Sequence, residues 1–332
     1  MVMEMEYIKI KEYGSPEVLK LDSIPIPEPA PGEVLIKVAA AGVNRPDIMQ
    51  RQGLYPPPPG ASNILGLEIS GTVVGIGKNV TKPAIGSQVC ALVVCGGYAE
   101  YCLASAPLCL PIPESICLED AAGIPETFFT VWNNIFDRGD LKSGDTILIH
   151  GGSSGIGTSA IQLCKAFGAI VYTTAGTSEK CKFCEELGAD VAVNYNKQDF
   201  SERVKKLTDG KGVDLILDIV GAPYFTKNIS LLSFEGRLLQ IALMHGSKTE
   251  IDLRPLLFKR LTLSGSTLRN RSIKMKSKIA KDLLKNVWSL LDSGKVRPII
   301  HETFKLENAK QAHMLMESSR HIGKILLTTG QK

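Results

Sequence analysis

Long apolar stretches are absent. No uninterrupted run in the 332 residues approaches a membrane span, and the opening MVMEMEYIKIKEYG has no apolar core of signal-peptide length. Both absences predict a cytosolic protein with no membrane partner. Charge of one sign is scarce as well. The formal net charge is +4, and no Lys/Arg run is dense enough to neutralise a line of phosphates, so nucleic acid is not expected as a partner. The most basic patch, RNRSIKMKSKIAK (269–281), reads as a solvated, partly helical surface. Low-complexity tracts and internal repeats beyond a strand–helix unit are missing too. What remains, 44% hydrophobic and 22% charged, is the composition of a globular chain long enough for two domains.

The eight cysteines lack the spacing of a disulfide framework. Cys90, Cys95, Cys102 and Cys109 cluster but do not form the close pairs of a structural zinc knuckle. Cys181 and Cys184 make a C-x-x-C inside a predicted helix, which is not where redox pairs sit. His301, His313 and His321 have no metal-ligand spacing. No metal site is expected.

Residues 1–125 read as short strands and turns: VLIKVAAAGV and EISGTVVGIG are bounded by Gly and Pro, and YPPPPG (55–60) is a rigid extended segment. From about 126 the pattern becomes strand–helix alternation. DTILIH, AIVYTTAG, VAVNY, VDLILDIVG and RLLQIALM read as strands, and LTLSGST (261–267) as the last of the series. GIGTSAIQLCKAFG, SEKCKFCEELG, DFSERVKKLTDG and YFTKNISLLSFEG separate them. Apolar strands spaced by helices predict a parallel sheet covered on both faces, with ligands at the carboxyl ends of its strands. A helix over about 276–293, a strand around IIHETFKL, a helix ENAKQAHMLMESS and a strand GKILLTT close the chain.

GGSSGIG (151–157) lies between the strand DTILIH and a helix. A Gly-rich turn there lets backbone N–H groups approach a pyrophosphate at the positive helix end. Gly152 and Gly157 fit the first and third glycines of G-x-G-x-x-G, with Ser154 in the middle position and Gly155 and Ile156 between. NAD enzymes carry an acid at the end of the second strand. Here Thr173, Thr174 and Gly176 stand where it is expected, followed by Thr177 and, one helical turn in, Lys180. A phosphate meets no carboxylate there and finds a cation, which predicts NADPH. His150 reads as structural or as a ribose neighbour, and Glu68 as a group that satisfies buried backbone.

The stretch NRPDIMQRQGLYPPPPGASNILGLEISG (44–71) carries a resemblance, together with AAGIPETFFTVW, LIHGGSSGIGTSAIQL, GTSEK, Asn194–Tyr195 and IGKILL. The chain resembles the quinone oxidoreductase, or zeta-crystallin-like, branch of the medium-chain dehydrogenase/reductases over essentially its whole length. The tumour-suppressor-inducible subgroup is the most similar. The resemblance implies an α/β protein: a chaperonin-10-like β-barrel catalytic domain (1–125 and 268–332) around an inserted doubly wound Rossmann-type parallel sheet (126–267), dimeric through the edge strand LTLSGST. It also implies that Ser154 meets the cofactor at the phosphate loop, that Gly176, Lys180 and Tyr195 hold the phosphorylated adenosine end, and that Thr130 lies on the nicotinamide side. Segments 241–244, with Ala242, Leu243 and Met244, and 268–270, with Leu268, pass near the nicotinamide. Asn44, Asp47 and Tyr55 line the nicotinamide and substrate cleft.

Zinc relatives carry Gly-His-Glu-x-x-Gly where this chain keeps Gly66, Glu68 and Gly71 but has Leu67, and Asn44 stands where they place their first cysteine ligand. A zinc ion polarises a carbonyl. Quinones and enones spread the arriving charge over a conjugated system, so ordinary hydrogen-bond donors suffice. The expectation is a zinc-independent NADPH:quinone oxidoreductase that passes hydride or single electrons from NADPH to small quinones, one-electron and two-electron reduction both being open, and in which Tyr55 bonds or protonates the product oxygen. The alternatives are an NADPH-dependent reductase of α,β-unsaturated aldehydes or ketones, and a non-enzymatic structural or RNA-binding crystallin-like protein.

Overall fold

The computed structural model describes residues 3–330. The chain divides into two compact units, Met1–Phe129 with Arg269–Lys332, and Thr130–Leu268.

The first unit is built on the strand Glu33–Val43. One of its edges pairs antiparallel with Glu68–Ile76. The other is shared between Tyr101–Ser105 near its start and Lys324–Thr328 near its end. The C-terminal strand therefore completes a sheet begun near the N-terminus, with Ile300–Lys305, Gln88–Leu92 and Cys109–Pro111 further out. Register shifts at Leu35/Ile36 and Val38/Ala40 are bulges of the kind that let a sheet curl. Val34, Ile36, Val38, Ile69, Val73, Val89 and Ile325 are buried in one core. At Gly71 a Cβ would run into the Lys37 carbonyl of the neighbouring strand, so only glycine allows this approach. A helix also interrupts the expected strands and turns: Arg45–Arg51. Its start is local chemistry, because the Asp47 carboxylate accepts the Asn44 N–H at 2.8 Å, one half of a capping box, with Pro46 in the first turn.

The second unit is a six-stranded, wholly parallel sheet ordered Val191–Asn194, Ile170–Ala175, Thr146–His150, Val213–Asp218, Leu232–Gln240, Thr262–Gly265. The chain order reverses at Thr146–His150, the switch point where such sheets bind nucleotides. Ile147, Leu148, Ile149, Val171, Ile216 and Leu217 are fully buried, as a sheet covered on both faces requires.

Some elements differ in extent from the sequence pattern. The helix in YFTKNISLLSFEG stops at Leu231, and Leu232 already pairs with Val213. That strand ends at Gln240, so residues 241–244 are irregular. The helix over about 276–293 is two helices, Ile273–Asn286 and Trp288–Asp292. No described helix is long and apolar enough to cross a membrane.

Candidate active site

The phosphate loop of the second unit is fixed by close packing. Ser154 is the N-cap of the helix Gly155–Ala166, its Oγ accepting the Gly157 N–H at 3.0 Å. A Cβ on Gly152 would collide with the Thr173 side chain, whose hydroxyl donates to the Ile149 carbonyl at 2.7 Å. A Cβ on Gly157 would lie 2.6 Å from the Gly152 backbone. The glycines thus hold strand, loop and helix in contact, and the first-turn N–H groups of Gly155 and Ile156 precede any helical acceptor. This cradle suits the pyrophosphate of a dinucleotide.

Beyond the next strand, Gly176 has no room for a Cβ because the Tyr195 hydroxyl would be 2.6 Å away. Thr177 caps the helix Ser178–Glu186 by accepting the Lys180 N–H at 3.1 Å. The half-buried Lys180 ammonium has its pKa lowered, chiefly by burial. Gly176, Thr177, Lys180 and Tyr195 therefore come together. Thr173 and Thr174 do not share this surface: both are buried, with Thr174 Oγ1 3.1 Å from His150 Nδ1. Two neighbours were missed in the sequence. Asn196 donates to the Gly176 carbonyl at 2.7 Å and Lys197 to Ser178 Oγ at 3.0 Å. The short Asn194–Lys197 turn after a strand was the available signal.

His150 is packed inside the second unit. It is buried, with Nε2 2.8 Å from Asn228 Oδ1. Because that oxygen can only accept, Nε2 carries the proton, and desolvation lowers the ring's pKa. Leu243 and Met244 are exposed on the irregular segment after Gln240, whose side chain donates to the Ala242 carbonyl at 2.7 Å. Leu268 is buried, and Thr130 offers its carbonyl to Asn134 Nδ2 at 2.8 Å.

In the first unit the strand ends assemble a buried polar cluster. Glu68 and Lys324 open the two strands flanking Glu33–Val43, and their ion pair spans 2.6 Å with both side chains buried. Gly42 lies where a Cβ would overlap the Glu68 carboxylate. Asn44 bridges the pair, donating Nδ2 to Glu68 Oε1 at 2.8 Å and accepting Lys324 Nζ on Oδ1 at 2.6 Å. The other Glu68 oxygen accepts the Glu126 N–H at 2.8 Å. Glu68 thus satisfies backbone as expected, but it also binds a buried cation that the sequence did not reveal. Leu67 beside it is buried.

Asp47 is organised by backbone. Its oxygens accept the N–H groups of Asn44 at 2.8 Å and Gly66 at 3.0 Å, and burial still raises its pKa to about 6. Behind it Tyr98 Oη lies 3.1 Å from His313 Nε2, and Arg51 Nη1 3.3 Å from His313 Nδ1. Arginine only donates, so His313 Nδ1 accepts and Nε2 bears the proton. Burial holds this ring neutral, with a pKa of about 3.

The basic segment 269–281 is not a solvated surface at its two critical positions. Arg269 and Lys276 are buried at 6% and 2% exposure, while Ile273 and Met275 face outward. Arg269 donates to the Val94 carbonyl at 2.8 Å and to Gln50 Oε1 at 2.7 Å, and lies 5.4 Å over the Tyr55 ring. Lys276 donates to the Arg269 carbonyl at 2.6 Å. These acceptors reward turning the cations inward. The half-buried Tyr55 is therefore pinned by Arg269, and burial raises the pKa of its hydroxyl.

Two family models match: the alcohol dehydrogenase GroES-like domain over residues 30–114 and the zinc-binding dehydrogenase over 155–286. The human quinone oxidoreductase is 31% identical across 97% of each chain. Among solved structures, the Escherichia coli quinone oxidoreductase complexed with NADPH is 28% identical, covering 98% of this chain and all of that one, with a TM-score of 0.88. An NAD-dependent alcohol dehydrogenase is 30% identical, again over 98% of this chain and all of the other, with a TM-score of 0.86. With a GroES-like unit, a switch-point glycine loop and full-length likeness to quinone oxidoreductases, the chain belongs to the quinone oxidoreductase branch of the medium-chain dehydrogenase/reductase superfamily.

Proposed function

We propose that this protein is a zinc-independent NADPH:quinone oxidoreductase acting on small quinones. The observation that carries the cofactor assignment is the surface around Gly176, where the Tyr195 hydroxyl closes on the glycine and Thr177 caps the helix that carries Lys180, with no acid at the strand end. Gly155 and Ile156 donate to the pyrophosphate, and Lys180 and Tyr195 hold the 2′-phosphate. The nicotinamide supplies hydride when bound. Support for zinc independence comes from Asn44 and Glu68, which are committed to Lys324. Tyr55, held by Arg269, hydrogen-bonds the product oxygen. Asn44 and Asp47 position the loop that carries them.

NADPH oxidation measured against a quinone panel and an enone panel, with and without a chelator, tests the reading. Quinone-dependent turnover that survives chelation supports it. Faster turnover of enones moves the assignment to an enone reductase, and NADPH binding without turnover of either panel moves it to a non-enzymatic role. Lys180→Ala should weaken NADPH by about 1.5–3 kcal/mol, the usual worth of a charged hydrogen bond, and leave NADH nearly unchanged in fluorescence titrations. Equal losses for both would reject the 2′-phosphate contact.

The reading includes a homodimer. Thr262–Gly265 pairs only with Leu232–Gln240, leaving an edge open among the described residues, and Leu257, Phe258 and Leu263 are exposed nearby in sequence. Sedimentation equilibrium should give twice the 35.9 kDa chain mass; a monomer at micromolar concentration would exclude it. All eight cysteines are free, which suits a reducing cytosol, and fractionation would check that location.

A further inference from the structure

The buried cluster of the first unit has one member that its neighbours leave unused. Asp47 is taken up by two backbone N–H groups, Glu68 by Lys324, Asn44 and a backbone N–H, and Lys276 by the Arg269 carbonyl. Glu126 gives its own N–H to Glu68, yet its carboxyl makes no hydrogen bond or ion pair among the described residues. It stands in the first turn of the helix Pro125–Val131 and keeps partial exposure.

The charges around that carboxyl come from four other elements. Glu68 belongs to the strand Glu68–Ile76, Lys324 to Lys324–Thr328, Asp47 to the helix Arg45–Arg51 and Lys276 to the helix Ile273–Asn286. Tyr55, on the proline-rich loop, feels the same carboxyl. Burial, then Glu68 and Asp47, push Glu126 up to about 8 against the pull of Lys324 and Lys276. It therefore holds a proton at neutral pH and sits closer to the operating range than the Tyr55 phenol, which burial moves further away.

We propose that Glu126 is the acid that protonates the reduced acceptor. The assignment rests on the reductase reading above. Two-electron reduction of a quinone by hydride leaves an oxygen anion. The Glu126 O–H bond breaks, the proton moves to that oxygen, and the electron pair stays on the carboxylate. Quinone, hydride and proton sum to the hydroquinone. Lys324 and Lys276 stabilise the carboxylate until water returns the proton.

Glu126→Gln keeps the shape of the neutral acid and removes its proton. In the wild type, kcat for a naphthoquinone should be flat below about pH 8 and fall above it, because the working form is the protonated one. In Glu126→Gln, kcat should drop on the order of 10²-fold, the usual worth of a positioned acid. The alkaline limb should vanish, the NADPH dissociation constant should hold, and Glu126→Asp should restore part of both rate and limb. A Gln variant with wild-type kcat and an unchanged alkaline limb would overturn the proposal. So would a loss of rate matched by Glu126→Asp with no change in the pH profile, which marks a structural role. A wild type that turns over neither panel removes the reductase reading and this assignment together.

Discussion

Gly157→Ala loses NADPH affinity by roughly two orders of magnitude in a fluorescence titration, the equivalent of one or two charge-assisted hydrogen bonds at about 1.5–3 kcal/mol each. The reason is steric and has no soft escape. The new Cβ would stand 2.6 Å from both Cα and the carbonyl carbon of Gly152 and still closer to the Gly151 carbonyl oxygen. All three are backbone atoms, so relief requires the loop to lift from the helix. Lifting carries the first-turn N–H groups away from the position they share, and the helix end loses its hold on a pyrophosphate. Gly265→Ala is the matched control, since its Cβ meets only the Gln240 carbonyl oxygen at 3.9 Å. Should Gly157→Ala bind NADPH as tightly as that control, GGSSGIG is not the pyrophosphate cradle.

The second large effect concerns stability. Lys324→Met should destabilise the protein by about 3–5 kcal/mol, because removing one partner leaves the other as an uncompensated buried charge. Glu68 is fully buried, and the hydrogen bonds it keeps, from Asn44 and the Glu126 N–H, do not neutralise it. The double variant Lys324→Met with Glu68→Gln should recover most of the loss, since a neutral amide needs no cation. Urea denaturation of the wild type, both single variants and the double variant completes the cycle. Losses that simply add in the double variant would mean that the pair is not coupled, and the account of the cluster would fall.

The glycine loop and the order of strands and helices were legible because they depend on neighbours in the chain. Thr146–His150, the loop and Gly155–Ala166 are contiguous, and the close contacts of Gly157 fall on Gly151 and Gly152. Thr173 and Thr174 show the limit of such information. Their place near the strand end is sequential, whereas their burial depends on what covers the strand. The helix Arg45–Arg51 escaped notice although Asn44 and Asp47 are spaced as a capping pair, because 7 residues are too few to set a helical period against the surrounding strands.

The polar cluster was out of reach. Lys324 meets Asn44 across 280 positions of sequence, and Glu68 meets Glu126 across 58. Neither contact leaves a periodic trace. Arg269, in the turn before the helix, and Lys276, on it, run against the pattern outright, since basic side chains normally stay in water. They turn inward because carbonyl acceptors and buried acids wait there, and only the packing of distant strands sets those in place.

By itself, then, the sequence determined the alternation that builds the parallel sheet, the glycines that pack strand, loop and helix together, and the membership of the family. Tertiary structure alone decided which charges are buried, which are paired, and which carboxyls burial pushes up. Backbone conformation answers to residues a few places away, but the dielectric and the partners of a charged group are set by whatever the fold brings against it.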